Sequence, residues 1–310
     1  MKGTLNKPAT IIKKDVWPEL PLNQWEETYS TVHLWTQVIG KIKLEFSEFI
    51  NHWWNVTFFP TTSGLSTGII PYKNTTFEME FNFLNHHLVI KMDNGKKELI
   101  KLQSGTISEF YEEVKEKLKT LGIKIHIWTV PVEIDDRLPF DKDHRPRVYD
   151  PEFAQRYWKA LVQVNKVMKL FRSGFTGKAS PVQFFWGSLD IAVTFFSGKP
   201  APEHPGAPNI GRKVMVESYN SELASFGFWA GKGIGEAAFY AYAYPEPENY
   251  KDFTIEPSAA YYNDTFREFI LPYSAVKNSD YPEREILDFY RSAFKTAVEL
   301  SNWDRSLYKI

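Results

Sequence analysis

The sequence predicts an α+β protein made of two related halves, with mostly antiparallel sheet and helices packed on it. Apolar residues recur at helical spacing in four segments, and short aromatic or β-branched runs bounded by turn residues lie between them. The last helix of each half also carries the same apolar pattern. Each half would therefore contain a helix, strands, a hairpin and a second helix.

The first half is expected over residues 31–134, after a Pro-rich, irregular N-terminal arm over 1–30. Its opening helix is followed by NHWWNVTFF as a strand and PTTSGLSTGIIPY as a loop. FEMEFNF and HLVIKM form a predicted hairpin. A helix begins near Thr106 and ends at Gly122, and KIHIWTVPVEI is the closing strand.

The charged, aperiodic stretch 135–150 is the predicted linker to a second half over 151–310. Asp150 followed by proline is typical of a helix N-terminus. PVQFFWGSLDIAVTFF reads as two buried strands, KVMVESYNSELASFGFW and EAAFYAYAY as further strands, and SAAYYNDTFREFILPY as a hairpin. A last helix begins near Pro282.

The evidence for a repeat is the match between two helices. Ile107 and Ile286 begin the same apolar spacing at an offset of 179 residues, whereas the opening helices align at 125, as Phe46 with Phe171. The 54-residue difference predicts an insertion at about 198–251. Two amphipathic helices also share such a pattern by coincidence, which remains the alternative. If the repeat holds, a site is expected where the halves meet, partly covered by the insertion.

Composition excludes several classes of function. The chain has no cysteine, so disulfides, thiolate metal sites and thiol nucleophiles are ruled out. A net charge of −1 gives no electrostatic reason to expect nucleic acid or an anionic membrane as a partner. No apolar run is long enough for a signal peptide or a membrane span, so a cytoplasmic location is expected. The aromatic fraction of 16% fits a ring-packed core or a ring-lined pocket.

The residues suggest an acid/base site. Asp190 lies within the apolar run LDIAV, where a carboxylate must be paired or functional. Glu222 is its predicted partner, either as the second member of an acid/base pair or as a second oxygen ligand for a cation, and His52 stands beside tryptophans. No histidine has a metal-ligand spacing, so no metal site is predicted. The aromatic residues predicted to contact a ligand are Trp54, Trp186, Tyr219 and Trp229.

The strings HLWTQ, NHWW, SPVQFFWGSLD and FYAYAYPEP resemble an uncharacterised bacterial family, a domain of unknown function, over about residues 17–303. Its pattern has histidine where this chain has Gln183 and Ser221, histidine at His204, and cysteine at Ala179. The resemblance implies that Gln183 and His204 belong to the ligand site. It also implies that a His-rich metal centre is not obligatory for this chain, because two of the three histidines are replaced.

The best functional hypothesis is a small-molecule enzyme with hydrolase-like acid/base chemistry, whose aromatic pocket lies between the two halves. One alternative is a protein that binds a small molecule without chemistry, and another is a structural or assembly module. The sequence indicates neither a cofactor nor an oligomeric state. An enzyme would place at least two titratable groups at one cavity, a carrier few charges, and an assembly module a flat aromatic patch.

Overall fold

The computed structural model describes residues 16–308. The first sheet is an antiparallel meander in chain order, which keeps each strand beside the next. Its strands are β1 (Phe59–Pro60), β2 (Gly64–Tyr72), β3 (Thr75–Asn82), β4 (His87–Met92) and β5 (Lys97–Lys101). The second sheet has the order β10-β11-β9-β8-β7-β6 in the numbering used here. Its strands are β6 (Gln183–Phe185), β7 (Asp190–Pro200), β8 (Ser221–Trp229), β9 (Ala238–Tyr244), β10 (Tyr261–Asn263) and β11 (Glu268–Pro272).

Helices cover the sheets. They are α1 (Leu22–Phe46), α2 (Ile107–Thr120), α3 (Pro151–Ser173), α4 (Arg212–Ser218), α5 (Tyr273–Asn278) and α6 (Pro282–Leu300). Local sequence sets two of their starts. Thr106 and Glu109 form a reciprocal capping box at α2, and Asp150 caps α3 with proline at its first position.

Strand alternation gives the second sheet two different faces. One face consists mainly of apolar rings such as Phe195, Phe226 and Phe239, which pack on Phe171 of α3 and Tyr290 of α6. The opposite face carries Asp190, Thr194, Ser225, Tyr240 and Tyr242 in register. The polar and aromatic face is therefore the one available to build a site.

The two sheets and the helices share a continuous hydrophobic core. Phe58, just before β1, and Phe184 of β6 exchange two backbone hydrogen bonds of 2.8 Å, which join the sheets edge to edge. Helix α1 is buried along most of its length, including polar residues such as His33 and Gln37. It therefore crosses the centre of the molecule and can present polar groups to the site.

The α+β class is confirmed, with mostly antiparallel sheets and helices packed on them. The hairpin of β3 and β4, the pair of strands interrupted at Gly187-Ser188, and the helices beginning at Ile107, Pro151 and Pro282 all agree with prediction. Each half contains a helix, then antiparallel strands, then a helix. The duplication itself, and with it the insertion at 198–251, stays a prediction.

Two predictions between α1 and β3 were wrong. The NHWW run is a 3-10 turn, Asn51–Val56, with left-handed backbone at His52 and Trp53. The Gly/Ser/Thr-rich run predicted as a loop is strand β2. Its hydroxyls are satisfied inside the sheet, where Ser66 donates to Glu78 at 2.5 Å. Small polar residues are typical of loops, but here they form a buried strand.

The segments 124–134 and 213–218 were also predicted as strands and are not. The first pairs with no strand, and two of its N–H groups bond to side chains instead: His126 N to Glu45 and Val132 N to Gln37. The second is helix α4. Residues 1–15 of the predicted arm lie outside the described part, and residues 22–30 are helical. The linker 135–150 is packed, with Phe140 fully buried in the common core.

Candidate functional site

A cavity of about 430 Å³ lies against the polar and aromatic face of the second sheet. Helix α1, the 51–56 turn, residues 128–133 and helix α4 with its flanking residues form the other walls. Rings make up much of the lining: Trp53, Trp54, Trp128, Phe185, Trp186, Phe196, Tyr219, Tyr240 and Tyr242. The titratable groups on its wall, tyrosines aside, are Lys41, His52, Glu133 and Asp190.

Asp190 begins β7 and is the polar centre of the cavity wall. One carboxylate oxygen accepts a hydrogen bond from Ser188 and the other from Tyr240, both at 2.5 Å. The side chain is 6% exposed. Burial raises the pKa of Asp190, although the two hydrogen bonds act in the opposite direction.

Glu133 is the second carboxyl of the wall. Its backbone is held on both sides, because Gln37 bonds the N–H and the carbonyl of Val132 at 2.8 Å and Glu133 N donates to Asn209 O at 3.1 Å. The carboxylate occupies the space that a side chain at Gly187 would fill, since a Cβ there would lie 2.0 Å from Oε1. The Glu133 side chain is exposed because it opens into the cavity, but the surrounding protein separates it from bulk water. This desolvation, and then the charge of Asp190, raise the pKa of Glu133 to about 7.

Hydrogen bonds between side chains and main-chain carbonyls fix the 186–189 turn, which both carboxyls contact. His33 lies 2.8 Å from the carbonyl of Gly187, and the Tyr157 hydroxyl donates to the carbonyl of Leu189 at 2.8 Å. The Trp186 indole donates to Val56 O at 2.9 Å. Burial lowers the pKa of His33 to about 4, so it is neutral near pH 7. The turn is thus held by neutral groups.

A third carboxyl, Glu268 of β11, lies on the same face of the sheet but outside the cavity lining. Burial, and then the charge of Asp190, raise the pKa of Glu268 to about 8. Asp190 is therefore linked electrostatically to two carboxyls. When one of these carboxyls binds a proton, ionisation of the others becomes more favourable.

His52 lies at the cavity, but both of its ring nitrogens are already engaged. Nδ1 lies 3.1 Å from Glu217 O, and Nε2 lies 2.8 Å from the Lys178 ammonium. A lysine donor on Nε2 leaves the proton on Nδ1, which fixes the neutral tautomer. Burial, and then the charge of Lys178, lower the pKa of His52. It offers the cavity a ring face, stacked on Phe196, more than a free base.

Of the residues predicted for the site, Asp190, His52, Trp54, Trp186 and Tyr219 line the cavity. Glu222 does not. Asp190 pairs with Trp229 of β8, and Glu222 lies an odd number of residues before Trp229 on the same strand. Its side chain is therefore on the opposite face of the sheet. There it accepts a hydrogen bond from Ser197 at 2.9 Å, near Lys199. Strand parity overturns the proposed pairing of Asp190 with Glu222.

Three residues that were predicted to contact the ligand lie just outside the cavity lining. Gln183 is fully buried and accepts a hydrogen bond from Thr57 at 2.9 Å. The His204 ring packs 4.5 Å from that of Tyr219, centroid to centroid, and so contacts a wall residue. Trp229 is opposite Asp190 in register but packs on Tyr240 and Phe266. They support the cavity without lining it.

Sequence reasoning missed Glu133, Tyr240 and Lys41. The alternation of FYAYAY does place Tyr240 and Tyr242 on one face, so a strand signal for Tyr240 was present. Glu133 carried no such signal, because its segment is extended without strand pairing and has left-handed backbone at that residue, φ +60°. Non-glycine residues in that conformation gather at functional sites.

Among residues 16–308, no group of three or more His, Asp or Glu side chains is placed to hold a metal ion. None of the helices in that range has the length and apolarity needed to cross a bilayer. The model of a family of unknown function, DUF5996, matches residues 17–310, which confirms the resemblance to an uncharacterised family. No curated protein and no solved structure matches the chain.

Proposed function

Because the chain belongs to this family of unknown function, we propose its activity from the site alone: it binds a small organic molecule in the cavity and acts on it by acid/base chemistry. Asp190 and Glu133 carry the chemistry. The observation behind this is that two carboxyls with raised pKa values line one cavity and contact the same turn, Asp190 through Ser188 and Glu133 beside Gly187. Hydrolysis is the favoured reaction class.

The paired carboxyls fit the roles of acid and base. With a pKa of about 7, Glu133 is protonated in about half of the molecules at neutral pH. A carboxyl in that state donates a proton readily and takes one back. Asp190 keeps two hydrogen-bond donors, Ser188 and Tyr240, which stabilise the ionised form that is able to accept a proton from a substrate or water. Coupling between them lets a proton taken by one promote ionisation of the other.

The ring-lined wall indicates the kind of ligand. Trp54, Trp186 and Tyr219 offer flat apolar surfaces, while Ser188 and Thr194 add hydroxyls. A cavity of about 430 Å³ lies within the range of small-molecule sites. Flat, mainly apolar molecules with one polar reacting group match this lining best.

The two alternative functions, a carrier and an assembly module, predict other features for this cavity. A carrier of apolar ligands gains nothing from two coupled carboxyls, one of which, Asp190, is buried at a cost in free energy. An assembly module would present its rings on a flat surface, whereas the rings of Trp186 and Tyr240 are less than a tenth exposed. Both features favour an enzyme.

A hydrolysis screen tests the proposal. Wild type is assayed with p-nitrophenyl esters, glycosides and phosphates, beside Asp190→Asn, Glu133→Gln and Glu222→Gln. We expect at least about 100-fold loss of turnover in the first two variants, the usual effect of removing a general acid or base. Glu222→Gln is the matched control, because this carboxyl lies on the opposite face of the same sheet. Equal turnover in all four proteins would contradict the proposal.

A further inference from the structure

We propose that Lys41 is the amine nucleophile of this cavity and that the substrate is a carbonyl compound, an aldehyde or a ketone, held as an imine on Lys41. This inference rests on the proposed function for the cavity and its acid/base pair. It keeps the cavity and the acid/base pair but not hydrolysis as the reaction class, and it names the substrate class and a covalent step.

The position of the Lys41 ammonium is unusual for a buried charge. The residue lies on α1, is 6% exposed and lines the cavity. Its Nζ lies 4.7 Å from the ring centroid of Trp128, a wall residue that is 59% exposed. Within residues 16–308, the Lys41 ammonium forms neither a hydrogen bond nor an ion pair. Buried charges are normally paired, so a cavity-facing amine held only by a ring is available for chemistry.

Lys43, two residues further along α1, is a buried lysine whose ammonium does have hydrogen-bond partners. It is equally buried, at 6% exposure. Its Nζ donates to Thr57 O at 2.5 Å and to Thr67 O at 2.6 Å, and it does not line the cavity. Burial lowers the pKa of both lysines to about 8. What separates Lys41 is access to the cavity and freedom from partners.

A second positive charge favours the neutral amine at Lys41. The guanidinium carbon of Arg137 lies 5.8 Å from the centroid of the same Trp128 ring. Burial first, and then this charge, lower the pKa of Lys41 to about 8. About 10% of the amine is then neutral at pH 7, compared with about 0.04% for an exposed lysine. A desolvated lysine next to another cation is an activated nucleophile.

The covalent step balances with the groups on the wall. The neutral Nζ attacks the carbonyl carbon, so a C–N bond forms, the C=O π bond breaks, and one proton passes from nitrogen to oxygen to give the carbinolamine. The carbinolamine then loses its hydroxyl as water with a proton from a carboxylic acid, and the iminium remains. Glu133, on the same cavity wall, is the group that supplies this proton and takes it back when water hydrolyses the imine. The iminium withdraws electrons, which eases proton removal by Asp190 from the adjacent carbon.

Reductive trapping tests the inference. Folded wild-type protein is incubated briefly at pH 7 with benzaldehyde and sodium cyanoborohydride, and peptide mass mapping gives the rate of benzylation at each lysine. We expect Lys41 to react at least about tenfold faster than the median exposed lysine, because a larger part of it is neutral. Lys43 should be the slow internal control, since carbonyls hold it. Lys41→Arg, checked for native circular dichroism, should lose the fast adduct alone.

Lys41 reacting no faster than exposed lysines, or no faster than Lys43, would overturn the imine. Carboxyl titration by ¹³C NMR in the same samples separates this failure from that of the proposed function. Slow Lys41 with Glu133 titrating near 7 removes the imine and leaves the acid/base pair. Fast Lys41 with both carboxyls titrating normally keeps the nucleophile and removes the pair.

Discussion

Tyr240 reaches Asp190 by lying across Gly227. Tyr240 and Gly227 are register partners on β9 and β8, and Gly227 in turn faces β7, which begins at Asp190. A Cβ on Gly227 would lie 2.2 Å from Cζ of the tyrosine ring. The bare backbone therefore lets a side chain from one strand pass over the next and donate its 2.5 Å hydrogen bond to the carboxylate of a third. Absence of a side chain at one position sets the polar centre of the cavity.

Gly227→Ala should therefore detach Tyr240 from Asp190. The added methyl group forces the buried ring away from β8, and overpacking of this kind costs about 1–3 kcal/mol of unfolding free energy. Urea denaturation gives the stability, and ¹³C NMR of labelled aspartate follows Asp190. Unchanged stability together with an unchanged Asp190 titration would contradict the close approach.

Tyr240→Phe keeps the ring and removes only the hydroxyl. Because that hydrogen bond favours the ionised carboxylate, the pKa of Asp190 should rise above its already raised value. Aspartate ¹³C titration measures the shift. Tyr242→Phe is the matched control on the same strand, since its hydroxyl bonds to Tyr219 at 2.9 Å. A shift of the same size in both variants would show that the effect is not specific to the hydrogen bond.

Glu133 should make the folded protein less stable as pH rises from about 4.5 to about 7. Its folded-state pKa is about 7, above the ordinary glutamate value of 4.5. Within this window the native state keeps a proton that the unfolded chain has lost, so unfolding free energy falls with rising pH. Glu133→Gln removes the group that titrates.

The measurement compares urea midpoints of wild type and Glu133→Gln at pH 5 and pH 8. The variant should lose less stability between the two values. A matched substitution, Glu222→Gln, should behave as wild type, because that carboxyl lies outside the cavity. Parallel pH profiles for wild type and Glu133→Gln would refute the raised pKa.

Gly187→Ala should move Glu133 without removing it. The new Cβ would lie 2.0 Å from Oε1, which is the flexible end of a side chain and can swing away. We expect a stability change below about 1 kcal/mol, as for most substitutions outside a packed core. The pKa of Glu133 should fall towards its ordinary value as the carboxyl leaves the site, and turnover in the hydrolysis screen should fall with it. A glutamate titration that still centres near 7 would contradict this placement.

Elements with one regular spacing of apolar residues could be predicted from the sequence. Helices α2, α3 and α6 start at or within one residue of their predicted positions, because capping residues and a 3.6-residue repeat coincide there. The polar interruption at Asp190 in LDIAV marked the cavity correctly, because a carboxylate in a buried strand needs partners. Local signals thus found the strand and its exceptional residue.

Relations between distant segments were not readable. Whether Glu222 faces Asp190 depends on the register of β7 against β8, which a one-residue change would invert. Glu133 enters the cavity because Gln37 of α1 holds its neighbour Val132, and Lys41 faces the cavity because of how α1 crosses the molecule. The contact of Gln37 with Val132 spans 95 residues, and contacts between distant segments leave no periodic trace in the sequence.

Gly40 offers a test of how α1 is seated against the site. A Cβ there would lie 2.3 Å from the Trp186 ring, which is 7% exposed and tied to Val56 through its indole N–H. Alanine is favoured over glycine in a helix by about 1 kcal/mol, so a stabilised Gly40→Ala would contradict the contact. We expect net destabilisation of about 1–3 kcal/mol instead, since neither the helix nor the buried ring can shift without breaking other contacts. In a Trp186→Phe background the smaller ring makes room, and the same Gly40→Ala change should become neutral or stabilising in urea denaturation. Equal destabilisation in both backgrounds would place the cause elsewhere on the helix.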